Sequence, residues 1–262
     1  MNLRLDVAYD GAPFRGFARQ PDVRTVQGDL EEALSKLCGA ELSTVGAGRT
    51  DAGVHALGQV VSVFGVPDDL DPVKIRDSLN SMLHPAIAVS ECRSVPEDFN
   101  ARFGALSRAY VYGILQRRFS DPFLAPTVLF HPEPLDVEAM NEAAGHLVGA
   151  HDFSSFGRLP HSDAPAERVL YELRVRRDGD LIRVRARANA FLQQMVRSLV
   201  GTLIQVGEGR RSPEEMPQVL EARDRSAAGP VVVPQGLCLV SVEYPDGWSG
   251  TAFWPPARET GA

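Results

Sequence analysis

The sequence is poor in cysteine, and its cysteines do not pair. Cys38, Cys92 and Cys238 are the only three among 262 residues, far apart and without a C-x-x-C. An odd, scattered set excludes a disulfide framework and a zinc site, so reduced, mostly buried thiols are expected. Histidines 55, 84, 131, 146, 151 and 161 show no H-x-x-x-H spacing, so no metal site is supported. No apolar run approaches the roughly 18–20 residues of a membrane-crossing helix. The opening MNLRLDVAYDG alternates like a strand and lacks the long apolar core of a signal peptide, which makes a cytoplasmic protein the expectation. Fixed-period repeats and low-complexity segments are missing too.

What remains is an ordinary soluble composition, 44% hydrophobic and 23% charged, long enough for one large domain or two modest ones. The formal net charge of −7 argues at first against a nucleic-acid partner. Binding depends on where charges lie, however. Between Arg168 and Arg197 stand eight arginines against Glu172, Asp178 and Asp180, a strongly basic stretch in an acidic chain. Arg183, Arg185 and Arg187 project from the strand face opposite Ile182 and Val184. That face suits either solvent or a phosphate backbone.

Leu3, Leu5, Val7 and Tyr9 alternate with polar residues, as in a half-buried strand. Val26, Leu30, Ala33, Leu34 and Leu37 recur at helical spacing. Gln59–Phe64 reads as strand, and Asp71-Pro72 caps a helix burying Ile75, Leu79, Met82 and Leu83. A strand follows at about Ile87–Cys92. In the second half, Ala109–Leu115 is a strand with Tyr110, Tyr112 and Ile114 on one face. Asp136 caps a helix with Val137, Met140, Ala144, Leu147 and Val148 inward. Asp178-Gly179-Asp180 turns a hairpin. A long helix spans roughly Ala190–Val206, Ser212-Pro213 starts another, and Leu237–Tyr244 is a late strand. Hairpin-like neighbours with interleaved helices predict an α+β fold on a mixed, mostly antiparallel sheet. The predicted organisation is an N-terminal half over 1–104, a C-terminal half over 105–246 and a loose tail over 247–262, with the halves around a central cleft.

The loop GAGRTDAGVHA, residues 46–56, is the chemically suggestive segment. It lacks the G-K-[ST] of a P-loop, and its glycine spacing misses the dinucleotide fingerprint. Asp51 in a glycine-rich turn can simply bond nearby amides. Yet Arg49, two residues away in an extended segment, lies on the same side, and a nearby cation keeps a carboxylate ionised. Glycines also let a flat ligand approach the backbone. On the long helix, Arg197 is the only charge between Ala188 and Gly207, on a face shared with Ala190, Gln193, Gln194 and Gly201, which suits a polar cleft. A lone surface arginine is the alternative. Tyr110 and Tyr112 fit either the core or contact with a flat substrate.

These motifs resemble the tRNA pseudouridine synthase A family, whose signature is A-G-R-T-D-x-G-V-H. YDGAPFRGFARQ, TVQGDLEEAL, FNARFGALSRAYVYGI, GAHDFSSF, NAFLQQMVRSLVGTLIQVGEG and QGLCLVSVEYPD match in the same order, from about Leu3 to Asp246. Phe17, where the family often has tryptophan, and Gln193-Gln194, where it often has histidine or tyrosine, depart from the pattern. The resemblance implies a pseudouridine synthase-type fold. It implies isomerisation of uridine to pseudouridine in the anticodon arm of tRNA, at tRNA positions 38, 39 and 40, without cofactor or metal. It places the catalytic aspartate on Asp51, the substrate-contacting tyrosine on Tyr110, the partner arginine on Arg197, and an RNA-inserting arginine on Arg49. It also implies a homodimer engaging one tRNA. Two rivals stand beside it: a non-catalytic RNA-binding module using the same cleft, and a hydrolase pairing Asp51 with a second carboxylate. For the hydrolase no convincing partner is visible, since Asp68, Asp69 and Asp71 read as loop and cap.

Overall fold

The computed structural model describes residues 1–159, 161, 164–245 and 247–249. Their elements run β1 (Asn2–Tyr9), α1 (Val26–Cys38), β2 (Ser43–Gly46), β3 (His55–Phe64), α2 (Pro72–Leu83), β4 (Ile87–Val95), β5 (Ser107–Leu115), β6 (Leu129–Phe130), α3 (Val137–Leu147), β7 (Gly149–Asp152), β8 (Glu167–Asp178), β9 (Leu181–Ala188), α4 (Met195–Gly207), α5 (Met216–Ala222), β10 (Leu237–Tyr244) and β11 (Gly247–Trp248). The fold is α+β with mostly antiparallel pairing, as the alternating sequence patterns predict. Parallel neighbours are β3 with β10 and β5 with β6.

The chain forms two compact units, one of Met1–Arg108 joined by the segment from Cys238, the other of Ala109–Leu237. The division thus falls after Arg108 rather than at 104. The late strand β10 belongs with the N-terminal unit, because it pairs with β3 there. The expected loose tail is ordered at its start. β11 pairs with β10, and the buried Ser249 hydroxyl accepts from the Val242 amide and donates to the Gly58 carbonyl at 2.8 Å. Residues 250–262 lie outside the described residues.

In the first unit the strand order is β4-β1-β3-β10, with β2 on β3. β1 is buried on both faces, not half-buried as its alternation suggests. Its polar positions are occupied by the ion pair Arg4–Asp6, Nε to Oδ1 at 2.8 Å and Nη2 to Oδ2 at 3.2 Å. The Arg4 guanidinium also lies 4.8 Å from the Tyr244 ring centre, so aromatic faces replace part of its hydration. Thr25 caps α1 by accepting from the Gly28 amide, and Asp71 caps α2 by accepting from the Val73 amide. Ile75, Leu79 and Leu83 are buried while Met82 faces outward. The three cysteines are free thiols, and burial pushes that of Cys92 up to about 12.

In the second unit β9 lies between β5 and β8, and β7 pairs with the start of β8. Asp136 caps α3, with Met140, Ala143, Ala144 and Leu147 inward; Val148 ends the helix on the exposed side. Exposed Gly145 sits inside α3 with open space where a Cβ would stand. Gly145→Ala is expected to stabilise the protein by about 0.5–1 kcal/mol through helix propensity. A thermal melt with an unchanged or lower midpoint would contradict this.

The long helix is shorter than its periodicity suggests. Gln194 adopts φ 63°, a left-handed backbone that no helix can pass through, and α4 begins only at Met195. Just before it, Gln193 forms an isolated antiparallel bridge with Arg158, its carbonyl accepting from the Arg158 amide at 2.9 Å. Phe191 and Leu192 therefore precede the helix rather than lining its apolar face.

Candidate active site

Asp51 sits in the connection between β2 and β3, at a turn closed by the Val54 amide donating to the Asp51 carbonyl at 3.1 Å. The side chain is half-buried. Neighbouring groups fix the backbone on both sides of it. Fully buried Gln59 pairs with Gly48 in both directions, its Nε2 donating to the carbonyl at 2.9 Å and its Oε1 accepting from the amide at 3.3 Å. The Thr50 hydroxyl is bonded to the Tyr9 hydroxyl at 2.8 Å, and the Thr50 carbonyl accepts from the Phe17 amide. Buried Arg108 donates from Nε and Nη2 to the Ala47 carbonyl and from Nη1 to that of Ala105. A buried polar group without partners is costly, so this network favours one loop conformation.

The segment 10–20 packs directly on that loop. A Cβ on Gly11 would stand 2.1 Å from the Val54 carbonyl oxygen, and one on Gly16 3.0 Å from that of Thr50. Gly16 also has φ +106°, which L side chains rarely adopt. The Gly11 amide donates to Nδ1 of buried His55 at 3.1 Å, tying the incoming segment to the start of β3. The carboxylate therefore emerges from a slim backbone platform held from beneath.

Arg49 lies on the same loop and is exposed, whereas Asp51 is half-buried. Inward-turned Thr50 fixes the chain between them, and the long Arg49 side chain extends into solvent.

Tyr110 and Arg197 belong to the second unit. Tyr110 is buried on β5, with the Phe191 ring edge-on at 5.2 Å between centres. Tyr112 is a core residue. Its hydroxyl donates to the Val233 carbonyl at 2.8 Å, and burial raises its pKa, with the Arg197 charge opposing. Half-buried Arg197, in the first turn of α4, donates from Nε to the Val232 carbonyl at 2.6 Å. Further along α4, a Cβ on Gly201 would meet the Pro230 carbonyl oxygen at 1.9 Å. The helix face assigned to a polar cleft is therefore covered at Gly201 by residues 229–232, and only its N-terminal end holds Arg197. Sequence reasoning missed Gln59, Arg108 and the 229–233 segment. A glutamine opening an apolar strand run was the one signal available for Gln59.

Among the described residues no group of three or more His, Cys, Asp or Glu is placed to hold a metal, and no helix is long and apolar enough to cross a membrane.

The tRNA pseudouridine synthase family model matches residues 7–104 and 143–245. A tRNA pseudouridine synthase A of Burkholderia mallei (strain SAVP1) is 44% identical over 245 residues, 94% of this chain and 90% of the other. One of Rhodopseudomonas palustris (strain BisA53) is 45% identical over 92% of this chain and 98% of the other. One of Agrobacterium fabrum (strain C58 / ATCC 33970) is 45% identical over 93% and 92%. A solved Cbf5-Nop10-Gar1 complex aligns at TM-score 0.34 and 12% identity over 78% of this chain and 54% of that one, a likeness too loose to carry structural detail. The model match takes in both the loop bearing Asp51 and the helix bearing Arg197, and the curated relatives span nearly the whole length: the chain belongs to the tRNA pseudouridine synthase family.

Proposed function

We propose that this protein isomerises uridine to pseudouridine in the anticodon arm of tRNA, at tRNA positions 38, 39 and 40, with Asp51 as nucleophile or base. The observation that carries the reading is the clamped loop: a half-buried carboxylate on a glycine-lined turn, within a segment that matches the family. The reaction breaks the C1′–N1 bond, turns the uracil and forms C5–C1′. C5 loses its proton and N1 gains one, so atoms and electrons balance without cofactor, metal or co-substrate. Asp51 attacks C1′ or removes a ribose proton, while Tyr110 contacts the uracil and Arg197 supplies positive charge for the carboxylate. A paired base is out of reach of any carboxylate, so the uridine is extruded, and exposed Arg49 occupies the gap left in the stack. The working form is a homodimer engaging one tRNA.

The test is tritium release from unmodified tRNA carrying uridine labelled at C5. One tritium per modified site, with no free uracil, is the expected result. Tight binding without release would make the protein an RNA-binding module, and free uracil would make it a hydrolase. Pseudouridine mapping in tRNA from cells lacking the protein tests positions 38–40.

A further inference from the structure

The β8–β9 hairpin carries a feature that the isomerisation does not use. Its register sets Arg174 directly opposite Arg185 and Arg176 directly opposite Arg183, with Glu172 opposite Arg187. Side chains directly opposite on antiparallel strands have Cβ atoms about 5 Å apart, and like charges there destabilise the sheet. Leu173, Val175, Ile182, Val184 and Ala186 fill the other face and are buried, so the arginines share the outward one. Five arginines stand there against two carboxylates, Asp178 at 2.9 Å from Arg183 and Glu172 at 3.2 Å from Arg185. Arg174 and Arg176 are exposed, and among the described residues neither has an ion pair or hydrogen bond. The Arg187 guanidinium lies 5.0 Å from the ring centre of Tyr171, an exposed aromatic beside the row.

We propose that this outward hairpin face binds the sugar–phosphate backbone of tRNA, as an anchoring surface that adds affinity and no chemistry. The inference rests on tRNA being the substrate. Two opposed like-charge pairs in a chain of net charge −7 are a standing cost that a polyanion removes. Arginines two apart on a strand repeat every 6–7 Å or so, comparable with the spacing of successive phosphates, and their planar forks suit phosphate oxygens. A second copy of the chain fits worse, because a two-fold contact would set the patch against itself and add arginine to arginine.

The experiment uses the full chain with Arg174→Gln/Arg176→Gln, which removes two exposed charges without taking a partner from any described residue. Affinity for unmodified tRNA is read by fluorescence anisotropy across a salt series. The expected result is a Kd about tenfold weaker near 0.1 M salt and a log Kd–log salt slope shallower by about 1.5. KM should rise with kcat unchanged, and Arg174→Lys/Arg176→Lys should keep the parent slope. Unchanged Kd and slope would overturn the proposal. So would a change of oligomeric state with tRNA affinity retained, which would assign the face to a second copy. A parent protein that releases tritium while the variant keeps its affinity defeats this inference alone. A parent that releases none, but loses affinity on substitution, defeats the isomerase reading and leaves this one standing.

Discussion

Asp51→Asn is expected to lower the isomerisation rate by about a thousandfold or more, on the order of 4 kcal/mol of transition-state stabilisation. The substitution keeps the shape and removes the charge. An amide is a poor nucleophile toward C1′ and a negligible base toward a ribose proton, so either role for Asp51 gives the same result. The surrounding clamp does not depend on the carboxylate: Gln59 holds Gly48, Tyr9 holds Thr50, and Arg108 holds Ala47. The melting midpoint should therefore stay within a few degrees of the parent's, about 1 kcal/mol or less, and tRNA affinity within about twofold to threefold, since contacts to phosphates dominate affinity. Single-turnover tritium release separates the chemical step from binding. A variant turning over near the parent rate would move the chemistry to another group.

The local turn and cap signals around the candidate site were legible in the sequence, and the contacts that support it were not. Glycines beside an aspartate, the D-G hairpin and the Asp71-Pro72 cap are local signals, written within a few residues, and the structure repeats them. Helix α4 misled because Phe191 and Leu192 continue its apolar period, while its start is set by a left-handed Gln194 that no hydropathy pattern encodes. Arg4 and Asp6 misled similarly: alternation marks polar positions but does not tell a solvated face from a buried ion pair. Gln59 and Arg108 were illegible for a different reason. Each acts on backbone carbonyls that only the folded chain brings near, Arg108 reaching Ala47 across 61 positions. Long-range polar contacts of this kind leave no periodic trace.

Gly11→Ala is expected to damage the same site without touching its chemistry. The added methyl would lie 2.1 Å from the Val54 carbonyl oxygen, 2.5 Å from its carbon and 2.9 Å from the Gly53 carbonyl carbon. All three are backbone atoms, so no rotamer change relieves the contact, and the turn bearing Asp51 or the 10–20 segment has to move. Overpacking of this kind costs about 1–3 kcal/mol, and misplacing a reactive group by about 1 Å costs on the order of a hundredfold in rate. The variant should melt several degrees lower, bind tRNA nearly as the parent does, and show kcat reduced about a hundredfold. Ala12→Gly, one position along, serves as the control, because it adds no atom near the turn and should leave kcat within about twofold. If Gly11→Ala melted lower yet kept its kcat, the 10–20 segment would be a stabilising cover only, and the placement of Asp51 would rest on Gln59, Tyr9 and Arg108 from the opposite side.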